Sequence, residues 1–552
     1  IFAQINNRIN AEFEKNPGIK DDVAAQKKEI PYIGELMLGH VRYGTFGGNS
    51  VETVHPFLRQ NNWMHRNLII AGNFNMTNTT ELFQNLIDLG MHPKEKADTI
   101  TILENIGHFL DQGVAKLYKK AKKKGLSKME ASAHIIENLN IEKILKKSAK
   151  NWDGGYAMAG LLGHGDAFVF RDPAGIRPAY FYEDDEIVVV ASERPVIQTV
   201  FNVAFENVKE LEAGDAIIVK KNGNVIFENI RECVNKKACS FERIYFSRGS
   251  DEKIYRERIS LGNHLSKIVL DRIEKDLKNT IFSYIPNTAE VAFYGLIKGM
   301  ESYLNKIKVE RILSWGKDID EEKLEQMVNR KIRQEKIAIK DVKLRTFITE
   351  DANRNEMVQH VYDITYGTVR KDEDTLVVID DSIVRGTTLK ESIIRMLSRL
   401  GPKKIIVVSS APQIRYPDCY GIDMSKMGDF IAFKAAIALL EERGMKNVIE
   451  ETYQKIKSLD AAGQLHTENV VRQLYKPFSP EEISDKIAQL ITPSNIQIPV
   501  EVIYQTIEDL HECCPTNTGD WYFTGNYPTP GGNRVCNKAF LNYIEGVNVR
   551  GY

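Results

Sequence analysis

Residues 376–388 read LVVIDDSIVRGTT. Leu376, Val377, Val378 and Ile379 form a continuous apolar run, as expected of a central parallel strand buried on both faces. Asp380 and Asp381 close it, and ligands of open parallel sheets collect at the carboxyl ends of strands. Successive side chains on a strand point to opposite faces. The two acids therefore have different tasks: one accepts hydrogen bonds from sugar hydroxyls, and the other turns toward Mg²⁺ or its water shell. Ser382, Ile383, Val384, Arg385, Gly386, Thr387 and Thr388 follow as a loop. Gly386 permits a tight turn. The threonine hydroxyls and the free N–H groups of the following helix favour an anion. The string is thus expected to grip a phosphate at one end and a ribose at the other. Ile393, Met396, Leu397 and Leu400 give the next helix its apolar face, and Gly401-Pro402 end it.

Working outward, the chain after Glu242 alternates helical and strand-like segments: a helix over Ile254–Lys278, then strands at Val291–Tyr294, Leu376–Ile379 and Ile405–Ser409. Such alternation predicts a parallel sheet covered by helices. Asp318–Lys340 is charged and reads as a helical insertion. Upstream, residues 1–232 form one unit with short strands at Leu68–Ile70, Ala167–Phe170, Ile187–Val190 and Ala216–Val219. A Lys-rich helical stretch, 116–150, interrupts it and reads as a solvated face rather than a nucleic-acid site. The expected units are 1–232, 233–470 and a helical or irregular extension, 471–552.

Composition removes several function classes. With 552 residues and 43% hydrophobic content, the chain can build at least two cores. Lys+Arg 74 against Asp+Glu 75 gives no global attraction to DNA or a membrane surface. Six cysteines do not make a disulfide framework, so a reduced, cytoplasmic setting is expected. No apolar run reaches the ~18–20 residues of a membrane span. Phe430–Leu440 is the most apolar helical stretch, carries Lys434, and reads as a core helix. Residue 1 is Ile, so the chain is expected to begin inside a longer gene product.

The string DDSIVRGTT closely resembles the PRPP (phosphoribosyl pyrophosphate) motif of type I phosphoribosyltransferases. Its full form is similar to that of the glutamine PRPP amidotransferases, which open purine synthesis. Supporting stretches, in order, are Cys239–Arg248, Arg345–Ile348 (RTFI), Tyr420–Asp423 (YGID) and Phe523–Pro528 (FTGNYP). The resemblance implies an α/β protein. An N-terminal-nucleophile-type αββα glutaminase domain would precede a parallel-sheet transferase domain. It implies attack of ammonia, or of the amide nitrogen of glutamine, on C1 of PRPP, with loss of pyrophosphate and formation of 5-phosphoribosylamine. Asp380 to Thr388 would bind PRPP. Asp380, Asp381 and Thr288, in the loop Ile285–Ala289, would hold Mg²⁺, although Asn287 replaces the family's usual acid. The family's closing loop carries a lysine before RTFI. Here Ile339-Lys340-Asp341-Val342-Lys343-Leu344 precedes it, and Lys340 is the candidate catalytic cation. A cytoplasmic homo-oligomer with purine nucleotides as feedback ligands is also implied.

For the nitrogen-supplying half, His40–Thr45, Gly72–Phe74, Asp153–Tyr156, Arg171–Pro178 and Ser192-Glu193 resemble the family's glutaminase marks. Arg42, Thr45, Gly72 and Asp98 would bind glutamine. The nucleophilic cysteine is absent from the chain as given, and Ala71 stands where the family has an oxyanion-hole Asn. Loss of one such donor costs ~10²–10³ in rate, so an impaired glutaminase is expected. Some family members carry a [4Fe–4S] cluster. Cys239 and Cys419 occupy two of its positions, but Gly519–Tyr522 replaces the CxxC, and buried reduced thiols are the competing expectation. Two further readings stay open: an ammonia-dependent paralogue with a degenerate glutaminase, and a PRPP-sensing regulator without catalysis.

Overall fold

A computed structural model of the chain describes residues 2–41, 54–93, 95–316, 319–340, 362–421 and 424–551. Among the described residues, two large sheets, of six and five strands, and two small ones, of three and two, organise it. The first contains β1 (Phe57–Arg59), β2 (Leu68–Met76), β3 (Gly154–Leu162) and β4 (Ala167–Arg171). After β4 come β5 (Tyr180–Glu183), β6 (Val188–Ala191) and β7 (Lys209–Glu210), which form their own sheet, and then β8 (Asp215–Val219) and β9 (Val225–Asn229) of the first. The antiparallel order β1-β2-β3-β4-β8-β9 faces a small sheet ordered β6-β5-β7.

Strict alternation makes the layers. Leu68, Ile70, Tyr156, Met158, Phe168, Phe170, Ala216 and Ile218 pack with helices Asp98–Lys123, Lys128–Asn138 and Ile141–Ser148. Their neighbours Ala157, Val169, Ile217 and Val219 meet Phe181, Val188 and Val190 of the small sheet. Tyr180, Tyr182, Val189 and Ala191 then cover Ile197 of the helix Arg194–Phe201. A period of two against apolar partners on both sides stacks helices, sheet, sheet and helix. The Lys-rich stretch belongs to the outer helical layer, where its lysines sit on the exposed side.

The second sheet is β10 (Thr280–Tyr284), β11 (Arg333–Gln334), β14 (Thr375–Asp380), β15 (Lys404–Ser409) and β16 (Val500–Tyr504). Its order is β11-β10-β14-β15-β16, all parallel. β12 (Ala338–Lys340) and β13 (Tyr362–Ile364) form a separate antiparallel ribbon. Leu376 and Val378 point to one face, into the cluster that includes Ile431, Phe433 and Ile487. Val377 and Ile379 point to the other, against Leu265, Leu296 and Met300 of helices Glu252–Arg272 and Glu290–Trp315. All four of these strand residues are buried, as the apolar run requires.

Three expectations need correction. Val291–Tyr294 is not a strand: it lies in the first turns of helix Glu290–Trp315, and the strand precedes it at β10. A four-residue apolar run carries no decisive period; here Ala292, Phe293, Leu296, Ile297 and Met300 are buried at helical spacing. Of the expected helix Asp318–Lys340, the described residues 319–340 are helical only at Glu321–Val328 and then supply β11 and β12. The segment 471–552 is not merely an extension. Its β16 pairs with β15 from Ile405↔Val500 to Ser409↔Tyr504, completing the sheet edge.

The halves are joined by buried polar contacts. Arg177 Nε donates to the Tyr420 carbonyl at 2.9 Å, and its Nη1 lies 3.1 Å from Glu242 Oε1. Asn75 Nδ2 donates to the Cys419 carbonyl at 2.6 Å. Asp153 accepts from Thr529 Oγ1 and from the Gly531 N–H, at the start of helix Pro530–Ile544. Removing one partner of such contacts would strand a buried charge or polar group, so they fix the orientation of the halves.

Candidate active site

β14 delivers Asp380 and Asp381 to the carboxyl edge of the second sheet. Asp380 continues the register opposite Ser409, and the Ser410 N–H donates to the Asp380 carbonyl at 2.9 Å. Ser410 Oγ donates to the Asp381 carbonyl at 3.1 Å. Asp381 follows the parity of Val377 and Ile379, and it faces Arg258 of helix Glu252–Arg272 and the Thr288 hydroxyl. Ser382 Oγ donates to Asp381 Oδ1 at 2.8 Å. The structure thus brings Thr288, from the loop after β10, onto the acid pair 90-odd positions along the chain.

Two carboxyls so close resist joint ionisation. Burial raises Asp380 well above the usual carboxylate range, and the charge of Asp381 raises it further. Burial also raises Asp381; Ser382, Arg258 and Thr288 oppose this only in part. A site that penalises its own negative charge favours a cation, so the donor set fits a hard divalent ion such as Mg²⁺.

The loop beyond the acids is tied down by apolar anchors. Ile383 and Leu389 are buried in the core. Val384 O accepts from the Ile431 N–H at 2.9 Å. Gly386 has φ +71°, and a Cβ there would lie 2.9 Å from Ile491 Cγ2, so backbone conformation and space both call for glycine. The helix starts at Thr387, and the Lys390 N–H reaches back to the Gly386 carbonyl at 3.0 Å. Thr387 and Thr388 are exposed at its first turn, beside N–H groups that no helical carbonyl satisfies. The Arg385 guanidinium, largely exposed, turns toward Asp429 at 3.2 Å.

Lys340 ends β12 and is exposed. β11 runs parallel to β10, so the chain beyond Gln334 advances toward the sheet's carboxyl edge, and the ribbon rises there with Ile337 N bonded to Ser283 Oγ at 3.1 Å. Lys343 and the RTFI stretch lie outside the described residues.

In the first half, Gly72 sits in β2 opposite Met158, where a Cβ would meet Ala157 O at 2.5 Å. Its N–H donates to His55 Nδ1 at 3.3 Å. The opposite ring nitrogen of His55 lies 3.4 Å from Thr99 Oγ1, next to Asp98 at the start of helix Asp98–Lys123. His55 therefore bridges Gly72 and the Asp98 turn, and His40 stacks on it with ring centroids 4.5 Å apart. Arg42 and Thr45 lie outside the described residues. Ala71, buried in β2, offers no side-chain donor.

The cysteines do not fit an iron–sulfur cluster. Cys239 Sγ lies 4.0 Å from the Tyr522 hydroxyl, which donates to Asp418 Oδ1 at 2.9 Å. Trp521 Nε1 donates to the same carboxylate at 3.2 Å. Aromatic side chains and Asp418 thus fill the space beside Cys239, where two further thiolates would be needed. Burial pushes the Cys239 thiol up to about 12 and Cys419 well above its ordinary value. Among the described residues, no group of three cysteine sulfurs converges.

Arg258, Ser410 and His55 were not legible as site residues. Each acts from a separate element and carries no motif; Arg258 is a buried cation on a helix 120-odd positions before its carboxylate.

No family model matches the chain. Curated relatives named amidophosphoribosyltransferase do. That of Pasteurella multocida is 28% identical over 444 residues, covering 78% of this chain and 77% of its own length. That of Escherichia coli is 28% identical over 431 residues, covering 76% and 74%. That of Saccharomyces cerevisiae is 25% identical over 532 residues, covering 93% and 83%. The fold is similar to a solved glutamine PRPP amidotransferase from B. subtilis complexed with ADP and GMP: TM-score 0.56, 24% identity, 89% of this chain and 82% of that one. A structure described as the allosteric regulatory enzyme of purine biosynthesis matches with TM-score 0.57 and 25% identity, over 89% and 81%. By sequence along most of its length the chain is similar to the amidophosphoribosyltransferases, and its fold is similar to that of the solved glutamine PRPP amidotransferase.

Proposed function

We propose that the chain transfers ammonia, or the amide nitrogen of glutamine, to C1 of PRPP, releasing pyrophosphate and forming 5-phosphoribosylamine. The observation that carries this reading is the acid pair Asp380–Asp381, joined without a gap to the Gly386 turn and the helix that starts at Thr387. The N–H groups and hydroxyls from Ser382 to Thr388 would hold the 5′-phosphate. Asp380 would accept from ribose hydroxyls, while Asp381, steadied by Arg258, Ser382 and Thr288, would face the pyrophosphate end. Asp380, Asp381 and Thr288 would hold Mg²⁺, which when bound neutralises charge on the leaving pyrophosphate. Lys340, on the ribbon at the sheet edge, would supply a further cation.

Gly72 and Asp98, bridged by His55, with Arg42 and Thr45, would bind glutamine. Ala71 and the contact of His55 with the Gly72 N–H argue that glutamine is the poorer nitrogen source. A homo-oligomer in a reduced, cytoplasmic compartment, regulated by purine nucleotides, follows from the resemblance. Among the described residues, no helix is long and apolar enough to cross a membrane.

The test is pyrophosphate release from PRPP with Mg²⁺, measured with glutamine, with ammonium salt, or with neither. Release with ammonium salt is expected. Release with neither, or PRPP binding with no release under any condition, would refute transferase function; glutamine turnover matching that with ammonia would refute the impaired-glutaminase reading.

A further inference from the structure

We propose that His264, Asp509 and Glu512 form a surface site for a divalent transition ion of the Zn²⁺ class. One ligand atom from each lies within 4.8 Å of the others. His264 belongs to helix Glu252–Arg272, and the two acids to helix Ile507–Cys513, which follows β16. Spacing of i, i+3 puts both carboxylates on one helical face. The site is more than an acidic pair because the imidazole is oriented. His264 Nδ1 lies 2.9 Å from the Ser260 carbonyl, which can only accept, so Nδ1 carries the proton. Nε2 then points outward, 3.5 Å from Glu512 Oε1. A proton or a metal cation can join this nitrogen to the carboxylate, and the second carboxylate, from Asp509, within 4.8 Å of both favours the ion of higher charge. A backbone carbonyl on the far nitrogen is also how metal-ligating histidines are held in other proteins.

The distances suit the ion. Zn–N and Zn–O bonds near 2.0–2.2 Å in a tetrahedron place neighbouring ligand atoms about 3.4 Å apart. The His264–Glu512 separation is already close to this, and Glu512, with its side chain 74% exposed, can swing without disturbing the core. Cys513 does not complete the set: its Sγ lies behind the ring, 3.3 Å from Nδ1 and 3.1 Å from Ser260 Oγ. Water would supply the fourth position. The ion would pin the helix after the edge strand onto the helix that carries Arg258.

The experiment titrates Zn²⁺ into the chelator-stripped full chain, with excess Mg²⁺ present to occupy the acid pair at Asp380–Asp381, and repeats it with H264Q, D509N and E512Q. One equivalent is expected to bind, weakened at least about 10-fold in each variant. Co²⁺ in place of Zn²⁺ should give weak visible absorption bands that E512Q removes. Glu512 is on the surface, so E512Q remains informative if H264Q does not fold. No saturable binding below about millimolar Zn²⁺, binding unchanged in D509N and E512Q, or a strong thiolate-to-Co²⁺ band from Cys513 would overturn the assignment.

Discussion

Gly386→Ala tests whether the loop conformation makes the PRPP grip. Two costs follow from the structure. Alanine at φ +71° pays about 1–2 kcal/mol for the left-handed backbone. Its Cβ also lies 2.9 Å from Ile491 Cγ2 and 3.2 Å from Ile431 Cγ1. Those atoms are the ends of packed side chains, and overpacking of this kind costs about 1–3 kcal/mol. Gly444 is the internal control: its φ is +68°, and nothing lies within 4 Å of a Cβ there. Gly444→Ala should therefore lose only the backbone contribution and leave PRPP untouched. Gly386→Ala should lose more stability by urea denaturation. Because the loop can relieve both costs only by shifting the backbone that would meet the phosphate, its KM for PRPP should rise about 10-fold or more, tenfold corresponding to 1.4 kcal/mol. The assay is pyrophosphate release against PRPP concentration. A KM within twofold of the parent, with stability no lower than that of Gly444→Ala, would refute the reasoning.

Further predictions concern charge and space. Asp380 and Asp381 have raised folded values, so they retain protons that the unfolded chain has lost; their contribution to stability falls as pH rises above the unfolded carboxylate value. Mg²⁺ should offset this, so the Mg²⁺-induced gain in Tm should grow from acid toward neutral pH and shrink in Asp381→Asn; a gain independent of pH would contradict the cation role. Asp374 behaves oppositely: burial works against its charge, but hydrogen bonds from Arg333 and Arg370 prevail and hold it at about 2. Its stability is present above the unfolded value near 3.9 and lost as pH falls through about 2, so Asp374→Asn should cost about 2 kcal/mol at neutral pH and flatten the acid limb of urea-measured stability. Gly72→Ala places a Cβ 2.5 Å from a backbone oxygen of β3, which cannot yield as a side chain can; a loss of about 1–3 kcal/mol in thermal or urea unfolding is expected, and an unchanged midpoint would show that the strands separate freely.

Local pattern determined much of this protein. Leu376–Ile379 read as a two-faced buried strand because the acid pair and loop follow it directly, and the string from Asp380 to Thr388 carried its chemistry in adjacent residues, so both were legible without coordinates. The short apolar runs Ala167–Phe170 and Ala216–Val219, set among Gly and Asn turns, likewise announced strands. Where one short apolar run fits both periods, as at Val291–Tyr294, only the neighbouring helix face decided. Tertiary structure alone could bring Thr288, Arg258 and Ser410 onto the acid pair, recruit residues 500–504 to the sheet edge, and fill the space beside Cys239 with Tyr522 and Asp418. The physical reason is one of range. Periodicity and turn chemistry act over a few residues, whereas a carboxylate's protonation and a thiol's partners depend on groups that meet only after the chain has folded.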